Sequence, residues 1–148
     1  MTIQMNSMQL DSQVKLALVE HAEQNLPEEC CGILAGEWSG KTLSKVTRAI
    51  PIDNFASQKK STQFEIKSSS ILQINRALRK EGLDLLGFYH SHPNGRPEPS
   101  KKDLAASTAW PGYYHIILAT SEYGETSFNA FMTNKPTWNQ IPLNGALL

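Results

Sequence analysis

The stretch that most constrains this chain is Gly87 to Asp103, GFYHSHPNGRPEPSKKD. Leu85 to Tyr89, LLGFY, reads as a buried strand. It runs straight into two histidines one residue apart, His90 and His92. Side chains at i and i+2 of a strand point to the same face, about 6–7 Å apart along it. Both imidazoles can therefore converge on one metal ion from the end of one strand. Pro93, Asn94, Gly95 and Pro97 then turn the chain. Ser100 is a good N-cap, and Asp103 falls at the N3 position of the helix that LAAS continues. A loop so rich in turns can fold back and bring Asp103 to the imidazoles. Two histidines and one carboxylate leave the fourth position of a tetrahedral Zn²⁺ open for water. Each piece also has a plainer account. Ser-x-x-Asp before Leu-Ala-Ala is an ordinary helix start, and His-x-His alone is a weak metal signal. It is the combination that narrows the reading.

Taken together, His90-Ser91-His92-Pro93, the ten residues between His92 and Asp103, and Ser100 three before that aspartate resemble the motif of the JAMM (MPN+) metallopeptidases. That family's pattern adds an upstream Glu-x-x-Gly-hydrophobic segment, which Glu29-Cys30-Cys31-Gly32-Ile33 matches. The similarity runs from Leu10 to Trp138 and is greatest to the small stand-alone bacterial members. The resemblance implies an α/β (α+β) fold of the cytidine-deaminase-like kind: a curved, mixed, mostly antiparallel sheet with one long helix on each side. It implies one Zn²⁺ per chain, held by His90, His92 and Asp103. It assigns Glu29 the role of general base, bonded to the water but not to the metal, and Ser100 that of donor to the oxyanion. The implied substrate is an amide bond after the C-terminal Gly-Gly tail of a ubiquitin-like sulfur-carrier protein, as for a deubiquitinase-like isopeptidase. One question stays open: whether the Ser100 hydroxyl caps the helix or serves the oxyanion.

Length and charge are compatible with this. A chain of 148 residues is expected to form a single domain and to bury a core without disulfides. Fourteen basic and fourteen acidic side chains cancel, so no basic excess points to nucleic acid. The two cysteines, Cys30 and Cys31, are adjacent, and read as small buried residues of a reduced, cytoplasmic protein. The start of the chain lacks a signal-peptide pattern, and no apolar run approaches a membrane span.

Along the chain, residues 1–9 are expected to be frayed. A helix capped by Asp11 or Ser12 should run to Asn25, with Val14, Ala17, Leu18, His21 and Ala22 on one face. Glu29–Gly36 and Thr42–Ile50 should pair as a hairpin around Trp38-Ser39-Gly40. Residues 51–63 read as a solvated polar connection, and Phe64–Ile66 as a short strand. A second helix, capped by Ser68, Ser69 or Ser70, should bury Ile71, Ile74 and Leu78 and stop at Gly82. The third helix should reach Thr108. Further strands are expected at Tyr113–Thr120, Phe128–Thr133 and Trp138–Leu143, with a turn at Glu122–Glu125 and with His115 a core histidine. Two rivals remain: an interaction scaffold of the same fold without turnover, and a zinc hydrolase or deaminase of small molecules. The deaminase would show Cys-x-x-Cys ligands, and this chain has only its adjacent pair.

Overall fold

In CGILAGEW, successive side chains of a strand point to opposite faces, and both faces are apolar. A strand of that kind belongs inside a sheet covered on both sides. The computed structural model, which describes residues 7–38, 43–106, 112–121, 124–134 and 137–145, places it there as β2 (Cys31–Trp38). Its neighbours are β3 (Leu43–Ile52) and β4 (Asp84–Pro93), both antiparallel to it. Leu34 packs on one face with Val14, Leu18 and Ala22 of helix α1 (Ser12–Asn25). Ile33 and Ala35 pack on the other with Ile71 and Leu78 of α2 (Ser68–Lys80). The result is three layers, helix on sheet on helix.

The remaining elements are β1 (Ser7–Leu10), α3 (Lys101–Ala106), β5 (Tyr114–Thr120), β6 (Thr126–Asn134), β7 (Thr137–Ile141) and β8 (Leu143–Gly145). The strand order is β7-β6-β5-β4-β2-β3-β1-β8. Among the described residues, four of the seven pairings are antiparallel; β4–β5, β1–β3 and β1–β8 are parallel. The sheet is mixed and mostly antiparallel, as expected. No helix among the described residues is long and apolar enough to cross a membrane.

Two glycines permit close approaches. A Cβ on Gly32 would collide with the Tyr89 ring and the Ile50 carbonyl oxygen. A Cβ on Gly87 would collide with the backbone of Tyr114. The glycine three residues after Glu29 therefore makes room for a β4 side chain, and Gly87 lets β4 and β5 lie close.

Several expectations need correction. Residues 7–9 are not frayed: they belong to β1, because Met8 and Leu10 alternate into the α1-side core while β3 and β8 flank the strand. Phe64–Ile66 form no strand. Asn54 holds that segment instead, donating to the Gln63 carbonyl and accepting from Glu65 N–H. Lys67, not a serine, occupies the N-cap of α2, so Ser68–Ser70 lie within the first turn. Asp11 sits at the N-cap of α1, though without a side-chain capping bond. Ala17 is exposed, because the buried stripe runs Val14–Leu18–Ala22. The last expected strand is split at Pro142, which has no N–H to give a ladder. The segment before it pairs with β6 and the segment after it with β1. Ser39, Gly40, Thr42, Thr108, Glu122 and Tyr123 lie outside the described residues.

Candidate metal centre

Strand alternation sorts the end of β4. Tyr89 and Ser91 point toward the α1 side, where Tyr89 joins the core and its hydroxyl lies 2.8 Å from His21 Nδ1. His90 and His92 point to the other face, the side of Phe88 and α2. Their Nε2 atoms are 2.9 Å apart. Beyond them, Asn94 takes a positive φ of 53° and its N–H donates to the Thr120 carbonyl, turning the chain back toward α3.

At the start of α3, Ser100 and Asp103 cap reciprocally. The Asp103 N–H donates to Ser100 Oγ at 3.1 Å, and the Ser100 N–H donates to Asp103 Oδ2 at 2.8 Å. The capping box fixes the carboxylate, and the same oxygen meets His90 Nε2 at 3.2 Å and His92 Nε2 at 3.1 Å. Three atoms from three residues thus form a triangle with edges of 2.9, 3.1 and 3.2 Å. A tetrahedral ion bound at about 2.0–2.1 Å sets its ligand atoms about 3.3 Å apart. The triangle fits a small divalent cation with an outward shift of a few tenths of an ångström.

Glu29 stands at the rim of this triangle. One of its carboxylate oxygens lies within 4.8 Å of a ligand nitrogen on both His90 and His92. Asp103 Oδ2 also lies within 3.1–3.2 Å of both imidazoles, so the two histidines have two carboxylates within reach, Asp103 and Glu29. Of the two consecutive acids, Glu28 is exposed and Glu29 is buried. Ser91 holds the Glu29 segment to β4, since Ser91 Oγ accepts from Cys30 N–H at 2.8 Å and Ser91 N–H donates to the Cys30 carbonyl at 3.0 Å. On the other side, Glu29 N–H donates to the Lys60 carbonyl and the Asn54 amide to the Glu29 carbonyl.

Electrostatics distinguish the two carboxylates. Burial pushes Glu29 up to about 7, with the charge of Asp103 adding to it and His92 and Lys102 opposing. Burial also pushes Asp103 upward, but the hydrogen bonds from His90, His92 and Ser100 outweigh it and hold the carboxyl well below its usual range. Burial lowers His90; His92 is raised, its contacts with Asp103 and the Arg96 carbonyl overcoming burial. His92 Nδ1 lies 2.7 Å from that carbonyl oxygen, which can only accept. His92 therefore carries a proton on Nδ1, which leaves Nε2 as the ring atom it could offer a metal.

The five residues singled out from sequence, Glu29, His90, His92, Ser100 and Asp103, come together here. Cys30 and Cys31 take no part: both are free and buried, and burial pushes their thiols up to about 11 and about 12. Other residues of the site were not expected. His115 does lie in the core, but its Nε2 is 2.6 Å from His90 Nδ1. Phe64, expected in a short strand, instead stacks on the His90 ring with centroids 4.2 Å apart and forms a wall of the site. For His115 the available signal was its place in a strand beside the His-x-His strand. Phe64 had only its apolarity within a polar run.

Comparison with known proteins agrees with this geometry. The sequence profile of the prokaryotic homologs of the JAB domain matches residues 11–132. A desampylase of Haloferax volcanii is 35% identical over 107 residues, 70% of this chain and 73% of that protein. A CysO-cysteine peptidase of Mycobacterium tuberculosis is 28% identical over 106 residues, 72% of this chain and 68% of its own. A solution structure of a Desulfitobacterium hafniense protein superposes with a TM-score of 0.84 at 25% identity, covering 95% of this chain and 94% of that one. With all five residues of the cradle inside the matched span, the chain belongs to the prokaryotic JAB family of JAMM/MPN peptidases.

Proposed function

We propose that this protein is a zinc-dependent isopeptidase that cuts the amide bond after the Gly-Gly tail of a ubiquitin-like sulfur carrier. The observation that carries the reading is the triangle of His90 Nε2, His92 Nε2 and Asp103 Oδ2 with Glu29 at its rim. In it, His90, His92 and Asp103 hold one Zn²⁺ and Glu29 does not ligate it. The names of the relatives, a desampylase and a CysO-cysteine peptidase, support a small protein carrier as the substrate.

A cation in that cradle would supply Lewis acidity toward the scissile carbonyl and would lower the pKa of a bound water to about 7. The residues do the rest. Glu29, with its carboxyl raised to about 7, takes the proton of the attacking water and hands it to the leaving amine, since a base works best when its pKa lies near the working pH. The two roles of Ser100 are compatible. Its oxygen accepts from Asp103 N–H with a lone pair, which leaves the O–H free to donate to the developing oxyanion. Such donors contribute about 3–4 kcal/mol elsewhere. His92 is held by the Arg96 carbonyl, and Phe64 covers the His90 ring and excludes water from it. A Gly-Gly tail is thin and extended, so it can add to a sheet edge and pass a narrow groove.

The test is direct. The purified protein should contain stoichiometric zinc by elemental analysis. It should also shorten a sulfur carrier that is extended past its Gly-Gly terminus, as seen by intact mass. Stoichiometric zinc with every such carrier left intact would replace the peptidase reading with a metal-bound scaffold.

A further inference from the structure

His90 has two ring nitrogens with different partners. Nε2 joins the triangle with His92 and Asp103, while Nδ1 faces His115 Nε2 at 2.6 Å. An imidazole can give a metal its Nε2 lone pair only when the proton sits on Nδ1. That N–H then needs an acceptor, because His90 has 0% of its surface accessible and water cannot serve it. The ligating histidines of most metal sites use a carboxylate or a backbone carbonyl for this purpose, and His92 does so through Arg96. His90 has an imidazole instead.

We propose that His115 is a positioning residue: its Nε2 accepts the Nδ1–H of His90 and locks the tautomer that aims the His90 Nε2 lone pair at the cation. This rests on the metallopeptidase reading above. The lock matters because His90 has a competing state. With its proton on Nε2, the ring would donate to Asp103 Oδ2 at 3.2 Å and the lone pair would be lost to the metal. With His115 Nε2 accepting at Nδ1, the state that keeps the Nε2 lone pair has a satisfied Nδ1–H as well. To accept, His115 must carry its own proton on Nδ1.

Its ring is held in place for the task. His115 lies on β5 opposite Phe88, within a parallel pairing that spans Gly87 to Pro93. The Trp138 ring lies against it with centroids 4.6 Å apart, and Phe88 and Phe64 flank it at 6.4 and 6.2 Å. A neutral acceptor has a chemical consequence. A carboxylate at this position would add a second negative charge next to the ligand set and push electron density through His90 onto the cation. An imidazole orients His90 without that charge, so the cation keeps its strength as a Lewis acid.

The experiment compares His115→Leu with His115→Gln. Leucine fills the space without an acceptor; glutamine can place an amide oxygen near the position of Nε2. Zinc affinity is read by competition with a chromophoric chelator, and thermal unfolding of the metal-free proteins checks the fold. His115→Leu should bind zinc about 10- to 100-fold more weakly than wild type, the usual cost of losing such a partner, and His115→Gln should recover most of the loss. Equal zinc affinity in wild type and His115→Leu would overturn the proposal while leaving the peptidase reading intact. Failure of the wild type to bind zinc would instead sink that reading, and this one with it. Should the variants misfold, long-range ¹H–¹⁵N spectra of the histidine-labelled wild type with zinc bound still decide. The proposal requires a protonated Nδ1 and a metal-bound Nε2 on one imidazole whose Nδ1–H is bonded to an unprotonated Nε2 of another. A proton on Nε2 of His115 would end it.

Discussion

The two faces of β4 solve different problems with alternate residues of one strand. Toward α1 it offers Tyr89 and Ser91, both buried and both bonded to neighbouring elements, His21 of α1 and the backbone before β2. Toward α2 it offers His90 and His92, which meet a carboxylate from a helix 13 and 11 residues further along the chain. The first face anchors; the second is left with nitrogens that a packed core would not choose. A pleated strand makes this division possible because a residue can be changed on one face without displacing its neighbours on the other.

Substitutions can test how separate the faces are. On the histidine face, Asp103→Ala should have the largest effect: it removes a proposed ligand and half of the capping box, so bound zinc should fall to background by elemental analysis. Stoichiometric zinc in that variant would withdraw Asp103 from the ligand set. Glu29→Gln should retain zinc and lose about 10²- to 10⁴-fold in turnover of an extended carrier, the range for a missing general base. Unchanged turnover would remove Glu29 from the chemistry. On the anchoring face, Ser91→Ala leaves the buried Cys30 N–H without its acceptor and should cost about 1–3 kcal/mol in chemical denaturation. Zinc content should stay full. Turnover should drop too, because the bond that fixes the segment carrying Glu29 is gone; full activity would show that Glu29 is held by the Lys60 side alone. The smallest effect is expected for Tyr89→Phe, which gives up one partly buried bond to His21, about 1 kcal/mol. Metal content and turnover should not change, and a loss of zinc would show that the two faces are coupled.

The same contrast explains what was legible in the sequence. His90 and His92 could be placed because alternation along a strand is local. Ser100 and Asp103 could be placed because a helix start is local as well. Glu29 needed its spacing to Gly32, which turns out to be the glycine that admits the Tyr89 ring. His115 was recognisable as buried, since its neighbours are apolar, but burial does not name a partner, and its partner lies 25 residues away. Phe64 was read into a short strand, whereas the shape of its segment depends on the four hydrogen bonds of one side chain, Asn54. β1 was missed because four residues, Ser-Met-Gln-Leu, carry too little pattern, and its two partner strands lie far away along the chain.

The break at Pro142 has a consequence for the whole sheet. β7 and β8 are its two outermost strands, yet a single residue separates Ile141 from Leu143. Two steps along a chain span no more than about 7.6 Å, so the margins of an eight-stranded sheet come together at one point, like a collar fastened by one button. Each margin would otherwise offer bare amides to a passing chain. Proteolytic nicking near Pro142 should therefore free both borders at once, and it should show first as self-association rather than as a loss of zinc.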